Sequence, residues 1–283
     1  MAPCCLRWNL GSFVVIFELM PEGNEIHRFA EQHAAAFAGK RVRVDSPNSG
    51  FADAEVLDRR KLVRVDAIGK HLGYNFGRDL ILHVHLGMYG DFHQGRMPFP
   101  PAKGALRLRI YTKTDWLELR GGTDTSIFTQ AKWESLLRRL GPDPLIAGSD
   151  PKPAFEKIAK RNTPIGALLM DQSVIAGIGN IYRAELLYRA RIHPLRPGKD
   201  VDLAALKGIW KDAKKLMGEG VKNTRYVTTL AKDRPHKSRP VHEDEERYVY
   251  RRHGKPCFVC GTTIERADLA GRTVYWCPTC QKK

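Results

Sequence analysis

The period of the apolar residues changes early in the chain. Between residues 25 and 39, Ile26, Phe29, Ala30, His33 and Phe37 recur at the spacing of one helix face, and Gly39 follows them. That pattern predicts a helix closed by a glycine. From residue 41 to about 120 the pattern becomes alternating or β-branched. RVRVDSP, KLVRVDAIGK, HLGYNF, DLILHVHLG, ALRLRIYT and DWLELRG read as short strands, with Gly, Asp and Asn at the breaks. A helix followed by several strands predicts a β-sandwich with a helix packed on it.

Helical spacing returns at residues 131–140. Pro142 and Pro144 interrupt it, and residues 155–160, 164–171 and 180–190 follow as short helices. Over 202–217, Leu203, Leu206, Ile209, Trp210, Ala213 and Met217 fall on one face. Residues 219–247 are polar and charge-rich (EGVKN, KDRPHKSRP, HEDEER) and predict a long functional or mobile loop. The expected fold is α+β, divided into a leader at 1–19, a β-sandwich domain at 20–130, a helical domain at 131–247 and a small tail at 248–283.

Composition narrows the class of partner. Lys and Arg outnumber Asp and Glu by 47 to 31 in 283 residues, a net charge of +16. That excess favours a polyanion, nucleic acid first and an anionic membrane surface second. No run reaches the ~20 apolar residues of a membrane-spanning helix. The first nineteen residues hold one basic residue, Arg7, a short apolar run and no small-residue cleavage site, which makes a poor signal peptide. These features predict a cytoplasmic protein.

The six cysteines are Cys4, Cys5, Cys257, Cys260, Cys277 and Cys280, so four crowd into the tail. A secreted disulfide scaffold would spread them through the fold. Two CxxC turns sixteen residues apart predict a tetrahedral thiolate site for one Zn2+, with a hairpin between them at 262–267 and 273–276 turning at Gly271. Four thiolates leave no open position for water, so the predicted metal is structural.

Asn180 follows Gly177-Ile178-Gly179 and opens the stretch NIYRAELLYRA, while Pro164 opens the helix upstream. Two helices joined by such a turn present N-terminal N–H groups that suit a phosphate, and Asn180 can cap its helix and reach a DNA backbone. An ordinary helix hairpin with an Asn cap reads the same way.

Taken together these segments resemble a known family. QSVIAGIGNIYRAEL resembles the helix–two-turn–helix of the Fpg/Nei DNA glycosylases, and GRTVYWCPTCQ resembles their zinc finger. Met20-Pro21-Glu22-Gly23-Asn24-Glu25 resembles their N-terminus, and Gly69-Lys70 and His85-Leu86-Gly87-Met88-Tyr89-Gly90 match in order. The resemblance spans residues 20–281 and implies a bifunctional glycosylase and abasic-site lyase acting on damaged DNA, expected as a bacterial, nucleoid-associated monomer.

The resemblance also implies roles. Pro21 would be the nucleophile, attacking the sugar C1′ through an N-terminal secondary amine. That requires a chain beginning at Pro21, because an internal proline nitrogen is an amide. The expectation is therefore that translation starts at Met20 and that residues 1–19, with Cys4 and Cys5, are absent from the active protein. Glu22 would move protons at the sugar, Glu25 would support it, and Lys70 would reach a phosphate or protonate the sugar. Arg272 would grip phosphates beside the lesion. Met88 and Tyr89 would fill the gap left by the flipped base, and His85 would contact the DNA backbone. Taken singly, the alternatives are plain: a helix-entry proline, a dipole-stabilising acid, a solvated lysine, two core residues and a satisfied histidine.

Two features depart from the Fpg branch. Gly23 replaces its usual leucine, and DWLELRGGTDTSIF stands where its Asp-x-Arg-Arg-Phe-Gly stretch would fall, whereas the HLGM start is Fpg-like. The arginine expected of the Nei branch near Thr129 is missing. The whole most resembles the endonuclease VIII-like branch of actinobacteria, which implies oxidised pyrimidines as substrates. The rival readings are a catalytically silent DNA-binding relative, if Pro21 is internal, and a zinc-ribbon nucleic-acid or ribosome-associated factor.

Overall fold

A computed structural model describes residues 21–237 and 240–283. The expected leader lies outside the described residues. Helix α1 (Gly23–Phe37) buries Ile26, Phe29, Ala30, His33 and Phe37, the face read from the sequence, and Gly39 follows at φ +80°. Next come β1 (Arg43–Asp45), the short helix α2 (Ala54–Leu57), β2 (Arg64–Ile68), β3 (His71–Asn75) and β4 (Ile81–His85). The sandwich continues with β5 (Asp91–Arg96), β6 (Leu106–Tyr111), β7 (Asp115–Arg120) and β8 (Asp124–Phe128).

These strands form two antiparallel sheets, ordered β1-β6-β7-β5 and β2-β3-β4-β8. Their inner faces, with Leu72, Tyr74, Leu108, Ile110 and Leu117, join Ile26, Phe29 and Phe37 of α1 in one core. Neither β5 nor β8 was evident in the sequence, and both are edge strands. In β5 only Phe92 is buried, and β8 begins with Asp124, Thr125 and Ser126. Both are mostly polar, DFHQGR and DTSIF, so no apolar alternation marks them.

The helical half holds α3 (Gln130–Arg139), α4 (Lys152–Ala159), α5 (Ile165–Leu168), α6 (Asn180–Arg189) and α7 (Leu203–Asn223). Helix α3 packs Trp133 and Leu136 on Ile81 and Phe128, covering the outer face of the second sheet. Helix α7 outruns the expected end near 217 and takes the first five residues of the expected loop. Within this added turn Gly220 packs closely: a Cβ there would lie 2.5 Å from the Tyr182 hydroxyl and 2.8 Å from Asn24 Nδ2. Gly220 is a site of close approach. Leu203 was placed on the buried face but is 54% exposed at the start of the helix.

The tail forms a hairpin of β9 (Glu265–Leu269) and β10 (Arg272–Trp276). Leu269 pairs with Arg272 across the two-residue turn Ala270-Gly271, at φ +53° and +71°, where a tight hairpin needs two positive φ values. The first strand thus lies three residues later than predicted. The tail is not an independent core. Tyr248, Val249, Cys257, Ile264 and Cys277 pack with Ile181, Leu186 and Tyr188 of α6 and with α7. Glu185 joins them: its fully buried carboxylate accepts N–H bonds from Tyr248 (2.7 Å), Val249 (2.9 Å) and Tyr250 (2.9 Å) and one from the Thr228 hydroxyl. No described helix is long and apolar enough to cross a membrane.

Candidate active site

A cleft of about 220 Å³ opens where the sandwich, the helical half and the zinc hairpin meet. Pro21, Glu22, Lys70, His85, Met88, Asn180 and Arg272 line it. Residues as far apart in the chain as Pro21 and Arg272 thus share one cavity, which no local sequence pattern could show.

The start of α1 fixes the first two. The Gly23 N–H donates to the Gly177 carbonyl at 2.9 Å, and a Cβ at position 23 would meet Gly177 Cα at 2.8 Å. Gly23 therefore serves close helix–loop packing. Glu22 is 1% exposed, and its carboxylate accepts from the backbone N–H of Gly179 (2.9 Å), Ile181 (2.6 Å) and Tyr182 (3.3 Å). It caps the N-terminus of α6 from another part of the fold, and the helix has no side-chain cap of its own. Asn180 does not do so, contrary to the local reading. Its Nδ2 donates to the Thr273 carbonyl at 3.1 Å and its Oδ1 accepts from Arg183.

Lys70 sits half-buried on the two-residue turn between β2 and β3, where Ile68 pairs with His71. Burial lowers its pKa, Glu22 opposes that shift, and Arg272 and Arg183 add to it. Burial raises the pKa of Glu22, against the Lys70 charge and the three backbone donors. The two values move toward one another, which lowers the cost of proton exchange in the cleft. The pKa of His85 is lowered by burial and by Lys70, with Asp124 opposing, and its ring lies 4.9 Å from that of His71.

Met88 and Tyr89 are 41% and 65% exposed, so neither is a core residue. Met88 Sδ accepts from Arg272 Nη1 at 3.3 Å, a contact between the sandwich and the zinc hairpin. Arg272 follows the hairpin turn, and the next carbonyl, Thr273, is held by both Asn180 and Arg183 Nη2 (3.1 Å). Arg183, fully buried, and Glu185 lie inside NIYRAEL, but their task of tying α6 to the zinc module was invisible locally. Gln172 was also missed. It accepts from Gly177 N–H (2.9 Å) and donates to the carbonyls of Met170 and Ile178 (both 3.0 Å), fixing the glycine turn. An isolated glutamine in a loop gives no signal of this.

Glu25 lies one turn beyond Glu22 with its side chain 18% exposed. Burial raises its pKa from 4.5 to about 7; Arg28 and the neighbouring Tyr226 hydroxyl oppose this, and Glu22 and Asp91 reinforce it. A folded-state pKa above the unfolded one favours folding at low pH, and that contribution is lost as pH rises through about 7. Relative to Glu25→Gln, the unmodified chain should lose on the order of 2 kcal/mol between pH 4.5 and 7 and then level off. Urea unfolding of both chains across that range checks this, and parallel stability curves would refute it.

The four tail thiols converge. Cys257 and Cys280 Sγ are 3.9 Å apart, Cys260 and Cys277 3.4 Å, and Cys260 and Cys280 3.6 Å. All four lie within 4.8 Å of one another. A zinc tetrahedron with ~2.3 Å Zn–S bonds has edges of roughly 3.8 Å, whereas a disulfide requires about 2.05 Å. The donor set fits one structural Zn2+.

Comparison with known proteins agrees with this architecture. Residues 20–126 match the formamidopyrimidine-DNA glycosylase N-terminal domain, residues 140–231 the formamidopyrimidine-DNA glycosylase H2TH domain, and residues 254–283 the zinc finger found in FPG and IleRS. Endonuclease 8 1 of Mycobacterium tuberculosis is 42% identical over 276 residues, covering 93% of this chain and 100% of the relative. The formamidopyrimidine-DNA glycosylase of Methylococcus capsulatus is 31% identical, covering 93% and 99%. In three dimensions, Lactococcus lactis Fpg, solved in complex with DNA containing an abasic site, has a similar fold, with a TM-score of 0.77 at 21% identity over 93% of this chain and 100% of that one. The chain belongs to the formamidopyrimidine-DNA glycosylase and endonuclease 8 family of DNA-repair glycosylases.

Proposed function

We propose that this protein removes oxidised bases, pyrimidines in preference to purines, and then cuts the strand by β,δ-elimination. The supporting observation is the single cleft lined by Pro21, Glu22, Lys70 and Arg272. In this reading the free amine of Pro21 attacks C1′ and the bond from C1′ to the base breaks. The nitrogen loses its proton, the sugar ring opens with a proton delivered to O4′, and a Schiff base joins the protein to the strand. Glu22 and Lys70, whose pKa values converge, carry those protons. Loss of a C2′ proton then expels the 3′ phosphate, and a second elimination expels the 5′ phosphate while Arg272 neutralises it.

Met88 and Tyr89 fill the gap in the stack, while His85, Asn180 and Glu25 support the strand and the base pocket. The zinc supplies no step; the four cysteines that would hold it keep the Arg272 hairpin folded. The working division is 20–130 for the catalytic sandwich, 131–247 for the helical DNA-binding part and 248–283 for the zinc finger, without residues 1–19. The enzyme acts as a cytoplasmic monomer.

The test is a panel of duplexes carrying thymine glycol, dihydrouracil, 8-oxoguanine or an abasic site, incubated with a chain beginning at Pro21. Faster release of the pyrimidine lesions with doubly eliminated ends is expected. Binding without base release or incision would favour the silent DNA-binding alternative.

A further inference from the structure

The tip of a hairpin is ordinarily solvated and mobile. The turn that carries Lys70 is instead pinned from behind. Gly69 adopts φ +55°, and a Cβ there would lie 3.0 Å from Ala176 Cβ. Its N–H donates to Asp143 Oδ2 at 2.6 Å. The same oxygen is bonded to His27 Nε2 at 2.9 Å, and Oδ1 accepts from the Leu145 N–H at 2.8 Å. Asp143 is 1% exposed. One buried carboxylate thus ties three segments together: the β2–β3 turn, the α1 helix that follows Pro21-Glu22, and the loop entering the helical half.

We propose that Asp143, with His27, is a positioning residue for base removal that aims Lys70 at the groups at the start of α1. Asp143 touches no reacting atom; it acts through the Gly69 amide, one bond sequence away from Lys70. The inference rests on the catalytic reading of Lys70 given above. A carboxylate suits the task because it can accept all three N–H groups at once through charge-assisted bonds. An amide has one oxygen, so its NH2 must face at least one of those donors. Oδ2 takes both the Gly69 and His27 bonds, so an amide that keeps them turns its NH2 onto the Leu145 N–H. The side chain must then shift and the Gly69 turn shifts with it, and a displacement of about 1 Å in a catalytic group costs roughly 10²-fold in rate.

The experiment uses chains beginning at Pro21: unmodified, Asp143→Asn, Lys70→Ala and the double variant. Single-turnover release of thymine glycol is measured beside borohydride trapping on a preformed abasic site, with a melting curve for each chain. Asp143→Asn and Lys70→Ala should each slow base release about 10²-fold, and the double variant should be no slower than Lys70→Ala alone. Trapping on the abasic site should survive in all of them, which a general structural defect would not allow. If the two losses multiply, or if Asp143→Asn releases base normally while Lys70→Ala does not, this inference is overturned and the catalytic reading of Lys70 stands. If Lys70→Ala releases base at the unmodified rate, the Lys70 reading fails and takes the inference with it. Should the melting curve show Asp143→Asn unfolded, His27→Ala, which leaves the carboxylate and the Gly69 bond in place, enters the same cycle with a smaller loss expected and the same requirement of non-additivity.

Discussion

A chain beginning at Pro21 should form a borohydride-stable adduct with abasic DNA, and the 283-residue chain should form none. The reason is electronic. An internal proline nitrogen is conjugated with the preceding carbonyl and has no lone pair to donate. A free α-amine has a pKa near ~7.7–8.0, so a useful fraction is neutral at physiological pH. Restoring the twenty residues before Pro21 should cost at least ~10³-fold in trapping, a loss typical of removing a covalent nucleophile. Matched trapping by the two chains would exclude Pro21 as the nucleophile. A Pro21→Gly chain begun at the same position separates the amine from the ring: it has a primary amine in place of the secondary one, held by no ring, and should trap more weakly.

Stripping the metal from the tail should abolish the second elimination and weaken DNA binding steeply. Four converging thiolates that lose their cation repel one another, and a structural zinc site contributes about 10–16 kcal/mol to local folding in isolated fingers. The hairpin turn at Ala270-Gly271 carries Arg272, so its melting removes the guanidinium from the cleft. Cys257 and Cys277 also lie in the core shared with α6 and α7, so the helical half should lose stability as well. Cys277→Ser and chelator-treated protein, followed by zinc content, melting and the ratio of singly to doubly eliminated ends, check this. Metal-free protein that still binds abasic DNA and completes both eliminations would refute it.

The legible parts of the fold were those with a repeating buried face. Helix α1 and the inner strands announced themselves because one side of each must be apolar. Strands β5 and β8 did not, since polar residues fill most of their positions and only pairing defines them. Helix α7 ran past its predicted end into a polar stretch, where Gly220 is buried against Tyr182 and Asn24. For the candidate site, the motif residues Pro21, Glu22, Lys70 and Arg272 stood out by resemblance, whereas Asp143 had no local mark and Gln172 and Arg183 lay inside a recognised stretch that did not show what they hold.

Chemistry written in spacing was therefore determined by the sequence itself. Two CxxC pairs sixteen residues apart specify a thiolate site, because each pair presents two donors from one turn. The excess of basic residues favours a polyanionic partner. Tertiary structure alone decided which groups share a cavity and which hold others in place. Glu22 caps a helix that begins 158 positions later in the chain, and Asp143 holds a turn 74 positions earlier. Each such bond joins a carboxylate to a backbone N–H, a donor that nearly every residue carries alike, so the sequence gives no sign of the partner until folding brings the two segments together.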